Sequence, residues 1–582
     1  MNYTSTLITA ICLLINASAA ADVRAYTEPT DTMKVDVSGW PSVKTPAVGW
    51  VSKDIAYRQM STPPCMSVTD TTVTAWRGER IGLEALIASP VELTNLSVEV
   101  SGLDKSGRDA APGAVKASFM RYVLSSDWKA CGYPSDTLPV HTLPDMIDIP
   151  GTTIAAMAPN SVRPVWVSVE VPRDLAPGSY TLTLNVRQGK KQKSLGVLKA
   201  TIEVLSHTLP APRDYSFYLD LWQQPYSVSR YYGVEPWSDE HFRLMEPYVD
   251  MLARLGQNTV SAILFYEPWG EQSNDKFEPM VRTTRLADGT WKFDYEILDR
   301  WVDYMAAHGI DTHIDCFTMV PWQPEYRYID ATTGRYATLE AKPGSEAYNQ
   351  LWSTFLRDFA DHQKQRGLID KTLIFMDERG IDDMLAAYAV AKEAAPELRM
   401  GLAGSYHPEL IDSLYSYTLI KGDFFPADVI DRRNERNMVT LMYTCCATPA
   451  PSQFTNSDPA DGAYLPVYAT ATGHDGYLHW SYMNWTDNPL EDTRFHMFAP
   501  GDTYFVYPDG RSSVRYERLL EGIQMSEKIA MLRNEFMRAG DTDRLEQLER
   551  ALIPIRSGAL NPWYPTSEVV NTLQRVLDNL SR

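Results

Sequence analysis

Residues 373–380 read LIFMDERG, an apolar run that halts at two adjacent carboxylates, Asp377 and Glu378. Charges at the end of a buried segment are costly unless they are paired, share a proton or act on a ligand. A glycosidase that uses one carboxylate as acid and another as nucleophile sets them on opposite sides of the scissile bond, roughly 5 Å or more apart. Consecutive residues suit a different division of labour, in which a 2-acetamido group on a sugar attacks its own anomeric carbon. One acid then protonates the leaving oxygen, and its neighbour stabilises the acetamido nitrogen as positive charge develops. In that scheme Glu378 is the general acid, with its proton held by the neighbouring charge and by partial burial, and Asp377 stays ionised. Taken alone, an Asp–Glu pair is more often a loop cap beside a surface charge.

Other apolar segments also run out into polar and aromatic residues: Trp222, Gln223 and Tyr226; Tyr266, Glu267 and Trp269; Asp315 and Trp322; His407; Tyr443; and Trp480, Tyr482, Asn484 and Trp485. Any one of these rings is more often core than ligand. The collection suits a sugar, whose axial hydrogens stack on rings while its hydroxyls need planar polar partners. Trp485 and Tyr482 are expected to line the sugar, with Trp322 as a further ring. Tyr443 or Tyr482 is expected to donate to the acetamido carbonyl, and Gln223, Asp315 and His407 to contact hydroxyls. No H-E-x-x-H, Walker loop, G-x-S-x-G elbow or dinucleotide fingerprint occurs. Neither a metal nor an organic cofactor is therefore expected.

The elements that position these residues fall into three stretches. Residues 21–210 alternate apolar and polar side chains between Gly, Pro and Asp, as in TTVTAWRGERIGLEALIAS and GSYTLTLNVRQ, which predicts a β-sandwich. The Pro-rich HTLPAPRD at 207–214 marks its end. Over 211–510 the pattern becomes strand then helix, repeated: SFYLDLW before SDEHFRLMEPYVDMLARLG, KTLIFMDE before DDMLAAYAVAKEA. Seven or eight such units predict a closed (β/α)8 barrel, in which residues at the carboxyl ends of strands face the active site. LIFM is counted as the fourth strand, which puts Asp377 and Glu378 at that face. Residues 511–582 read as amphipathic helices packed on the barrel.

At 582 residues with 44% hydrophobic content, the chain can bury several cores, and a formal charge of -20 excludes nucleic acid as a main partner. Residues 1–20 read as a secretion signal: Leu7 to Leu14 is too short to span a membrane, and small residues follow up to Ala20. Ala10 and Ile11 do not supply the small pair a lipoprotein needs before Cys12, so a periplasmic protein is expected, without integral membrane contact. The remaining five cysteines have irregular spacing and form neither a disulfide framework nor a zinc site. A Cys65–Cys131 bridge is permitted within the first domain, with Cys445 and Cys446 as buried free thiols.

The sequence resembles glycoside hydrolase family 123, the exported bacterial β-N-acetylgalactosaminidases. WRGE at Trp76–Glu79, LDLWQQPYSVSRYYGVEPWSDEHF, the DE pair, GYLHWSYMNWTDNPLEDTRF, GDTYFVYPDG and RYERLLEGI carry the resemblance. The family often has Pro after the pair, where this chain has Arg379. The resemblance implies a retaining, substrate-assisted exo-hydrolase of terminal β-linked N-acetylgalactosamine, with Asp377 and Glu378 as its acid pair. Two alternatives stay open: a glycosidase of other specificity, using Glu378 with a separate nucleophile such as Asp315 or Glu267, and a non-catalytic sugar-binding protein of the same fold.

Overall fold

The computed structural model describes residues 27–582 apart from 32, 129–130, 133–136, 449, 497, 559 and 561–562. The expected secretion signal lies outside the described residues. Two sheets pack face to face in the N-terminal region. One is six-stranded, in the order Ala47–Val51, Arg80–Ser89, Ser161–Glu170, Val115–Ser126, Val140–Ile147, Ser512–Ser513, and the other is seven-stranded. The alternation read from GSYTLTLNVRQ is met: Tyr180, Leu182, Leu184 and Val186 point inward, against Phe119, Val165 and Val167 of the facing sheet.

The barrel follows. Its parallel strands are β1 (Tyr218–Leu221), β2 (Thr259–Ile263), β3 (His313–Phe317), β4 (Thr372–Met376), β5 (Arg399–Gly404), β6 (Ser416–Ile420), β7 (Val439–Tyr443) and β8 (Gly476–His479), hydrogen-bonded in the order β1-β8-β7-β6-β5-β4-β3-β2. Helices α1 (Tyr226–Tyr232), α2 (Asp239–Leu255), α3 (Glu296–Ala307), α4 (Glu346–Arg366), α5 (Ile381–Ala394), α6 (Ala427–Glu435) and α7 (Pro459–Ala471) accompany them. Local signals set the helix ends. Ser238 accepts from the His241 N–H at the start of α2, and Gly256, at φ 80°, closes it in the left-handed conformation. The short β6 escapes the sequence reading because residues 405–415, between β5 and β6, form turns and no helix. A four-stranded sheet spanning 282–340, inserted around α3 and before α4, was also not expected from the pattern.

β1 and β2 share only an isolated bridge between Leu219 and Gln257, and side-chain amides complete the seam. Asn258 accepts the Leu219 N–H at 2.9 Å, and Gln257 accepts the Leu221 N–H at 3.0 Å while donating to the Leu221 and Thr259 carbonyls. Amide groups thus stand in for the missing backbone ladder.

Helices α8 (Val514–Ala539), α9 (Thr542–Arg556) and α10 (Thr566–Leu580) close the chain. The expectation of an amphipathic tail on the barrel is corrected for α8. Almost every side chain from Val514 to Ile529 is buried, because this helix lies between barrel and sandwich. Its charges meet sandwich partners: Lys528 pairs with Glu79 at 2.5 Å, Glu517 with Arg80 at 2.8 Å and Arg518 with Asp54 at 2.7 Å. The cysteine expectation is corrected as well. Cys131 is bridged to Cys446, joining sandwich to barrel across 315 residues, while Cys65 and Cys445 are free. No helix among the described residues is long and apolar enough to cross a membrane.

Candidate active site

β4 is buried along its whole length, so the chain emerges at the barrel mouth directly into Asp377 and Glu378. The two side chains diverge into different surroundings. Glu378 is exposed and turns across the mouth, where its Oε1 accepts the hydroxyl of Tyr443 from the end of β7. Burial and the Glu378 charge push the Tyr443 phenol up, so it remains a donor. Gly404, at the end of β5, backs this acid: a Cβ there would sit 3.6 Å from the Glu378 Cα.

Asp377 is buried beside Arg379, whose Nη2 donates to Asp377 Oδ2 at 3.1 Å. The guanidinium lies 4.1 Å from the centre of the Trp322 ring, which is 46% exposed. Burial pushes the Asp377 carboxyl up to about 7, against the opposing pull of Arg379 and with help from Glu378. The expectation that Asp377 is the member left low is therefore corrected. Asp377 is the desolvated member of the pair, and Glu378 is the solvent-facing one.

A cavity of about 380 Å³ opens beside the pair, walled by Glu378, Arg379, Gly380, Leu402, Gly404 and His407 among others. A larger one, about 470 Å³, lies at the sandwich–barrel junction around Arg80, Arg173, Tyr215 and Arg254 and includes neither acid. The smaller cavity is the one placed for the chemistry.

The structure thus brings Asp377, Glu378, Tyr443, Trp322 and His407 together at the mouth. The other expected contacts sit elsewhere. Trp485 is fully buried against Tyr231 and Tyr248 with its indole N–H on the Val506 carbonyl at 2.8 Å, and Tyr482 spends its hydroxyl on the Tyr248 carbonyl at 3.0 Å. Both are core rings that meet no sugar from these positions. Gln223 is stitched into the β1–β2 seam, where its Oε1 accepts the Ser261 N–H at 2.7 Å. Asp315 is buried in the barrel interior, where it interacts with Asp220. Burial raises Asp220 to about 6 and, with the Asp220 charge, raises Asp315 further, since two buried carboxyls cannot both ionise. Arg379, read from sequence only as a departure from the resembled pattern, is the site member that sequence reasoning missed. Its adjacency to the acid pair was the available signal.

Among the described residues no cluster of three or more His, Cys, Asp or Glu could hold a metal ion. The groups at hand are a buried carboxyl clamped by a guanidinium, an exposed carboxyl held by a phenol, and a ring beside them. That set can donate a proton to a leaving oxygen and stabilise a neighbouring cation.

Comparison with known proteins gives two family matches, the glycoside hydrolase 123 catalytic domain over residues 222–532 and the glycoside hydrolase 123 N-terminal domain over 50–188. The first runs past residue 510 into α8, in keeping with the burial of that helix. No curated protein matches significantly. Among solved structures, a family 123 glycoside hydrolase from Clostridium perfringens, described for glycolipid glycan hydrolysis, superimposes with a TM-score of 0.81 at 22% identity over 93% of this chain and 98% of its own. A Bacteroides uniformis β-glucuronidase aligns with a TM-score of only 0.30 at 11% identity, over 76% of this chain and 48% of its own. With its catalytic match covering more than half of the sequence, the chain belongs to glycoside hydrolase family 123.

Proposed function

We propose that this glycoside hydrolase is a retaining exo-β-N-acetylgalactosaminidase working by substrate assistance, with Asp377 and Glu378 as the acid pair. The observation that carries the reading is the adjacency of the two acids at the end of β4, with their side chains in unlike surroundings. In the first step the acetamido oxygen bonds to the anomeric carbon, the glycosidic C–O bond breaks, and the Glu378 proton goes to the departing oxygen. Asp377 accepts the acetamido N–H as the ring nitrogen of the oxazolinium gains charge. In the second step water attacks the anomeric carbon and gives its proton to Glu378, while the bond from that carbon to the acetamido oxygen breaks and restores the acetamido group. Tyr443 steadies Glu378 through this exchange.

The classical alternative would need Asp315 or Glu267 as its nucleophile. Asp315 is buried against Asp220 inside the barrel, where burial and that charge raise its carboxyl, and the Glu267 carboxylate accepts the Phe277 N–H at 3.0 Å. Preference for a glycolipid-derived or other glycan rests on analogy with the Clostridium enzyme's stated subject. Action outside the cytoplasm is part of the proposal, supported by the Cys131–Cys446 bridge, a bond typical of oxidising compartments.

A panel of chromogenic β-glycosides differing at C2 and C4 tests the reading. Cleavage is expected only with a 2-acetamido group and is expected to favour the axial 4-hydroxyl, with inhibition by an N-acetyl thiazoline that mimics the cyclised intermediate. Equal cleavage of substrates lacking the acetamido group, or a covalent glycosyl-enzyme, would overturn it.

A further inference from the structure

We infer that Arg379 is a positioning residue of this site: its guanidinium ties the Asp377 carboxylate to the β3 loop and fixes its orientation beside Glu378. The inference rests on the proposed role of Asp377, and its geometry stands on four contacts. Nε donates to the Val320 carbonyl at 3.1 Å, Nη1 to the Glu378 carbonyl at 2.5 Å and Nη2 to Asp377 Oδ2 at 3.1 Å, while the planar group lies on Trp322. These contacts use all three guanidinium nitrogens and one face. They join the strand end that carries both acids to the neighbouring loop after β3. Lys, a point charge on a flexible stem, could not span the same set.

The second oxygen of the carboxylate is held too: Asp377 Oδ1 is buried and lies 3.0 Å from the same Nη2, within ion-pair distance. Both carboxylate oxygens therefore lie against one guanidinium nitrogen, which fixes the plane of the carboxylate.

Arg379 also bears on the charge of Asp377. The titratable and charged groups that face Asp377 are Arg379 and Glu378, and beyond Glu378 lie Tyr443, Cys445 and Asp423. Burial and Glu378 favour the neutral acid, and Arg379 is the cation that opposes them. Loss of that cation leaves Asp377 protonated over a wider pH range.

The test compares Arg379→Ala and Arg379→Lys with the full-length enzyme, each checked for folding by thermal unfolding. In Arg379→Ala the acid limb of kcat/KM should move up by roughly one to two pH units, and kcat should fall at least tenfold at neutral pH with a smaller change in KM. Arg379→Lys should restore much of the limb's position but less of kcat. A uniform loss across pH with an unmoved limb, or no loss at all, overturns the inference. A ligand-free crystal structure of Arg379→Ala reads the positioning without any assay: the Asp377 carboxylate should rotate or become disordered, and an unchanged carboxylate also overturns it. If the unmodified enzyme spares 2-acetamido glycosides, the functional proposal fails, and the crystallographic arm still decides the clamp.

Discussion

The two acids of the pair differ in measurable ways. Glu378 protonates the leaving oxygen, so Glu378→Gln should slow hydrolysis of natural glycosides by roughly 10²–10⁴-fold and a nitrophenyl glycoside much less in the first step. Similar losses on both substrates, measured by pre-steady-state release, would contradict the assignment. Asp377 makes a prediction about stability. Burial raises its carboxyl from 3.8 to about 7, so between those values the folded state keeps a proton that the unfolded chain has released. Stability therefore falls as pH rises across that window, and the loss is complete above it. Asp377→Asn removes the charge and should stabilise the protein at pH 8 by on the order of 1–3 kcal/mol while abolishing turnover of all 2-acetamido substrates. The stabilisation should vanish near pH 4, and unfolding midpoints at the two pH values check the sign. The same ionisation should appear as an acid limb near 7 in kcat/KM.

At the scale of elements, the barrel puts its strand ends where the sequence pattern expects them but not every residue beyond a strand end reaches the mouth. After β8 the chain turns back under residues 502–507, with the Asn484 N–H on the Thr503 carbonyl at 2.9 Å and the Phe505 N–H on the Tyr482 carbonyl at 2.9 Å. This fold-back drives Tyr482 and Trp485 into the core. Trp485→Ala should accordingly cost about 3–5 kcal/mol of stability by the ordinary large-to-small mechanism. The fraction that folds should show kcat/KM within about twofold of the parent, since substitutions distant from the reacting atoms alter stability first. A large kinetic loss in well-folded protein would return the ring to the sugar site.

On the scale of the whole molecule, sandwich and barrel are joined through the charges of α8 and a disulfide. Lys528 of α8 is fully buried, and its hydrogen-bonded partner is Glu79 of the sandwich. Glu79→Ala removes the carboxylate hydrogen-bonded to that buried ammonium, leaving only the more distant charge of Asp578, and should destabilise by roughly 3 kcal/mol, more than a surface pair would. Chemical denaturation with probes in each domain should show a single shifted transition. The Cys131–Cys446 bridge ties the sandwich to the loop that follows Tyr443. Reduction, or Cys131→Ser, should cost about 2–4 kcal/mol. Turnover should fall as well, because Tyr443 and its hold on Glu378 lie three residues from the bridged Cys446.

The sequence alone determined the features whose signals are local. Period-two alternation specified the sandwich strands, the shift to strand–helix repeats specified the barrel, and the halt of LIFM at Asp377 placed the acids at a strand's carboxyl end. Each needs only neighbouring residues to be read. The tertiary structure decided whatever depends on partners far along the chain. Cys131 meets a cysteine 315 residues away, Glu79 meets Lys528, and the β1–β2 seam is closed by amides that no periodicity distinguishes from sugar ligands. The charge balance at Asp377 belongs to the same class. Adjacency to Glu378 is visible in the sequence, but desolvation is set by the surrounding elements, and the hold of Arg379 depends on Val320 and Trp322 arriving from the loop after β3.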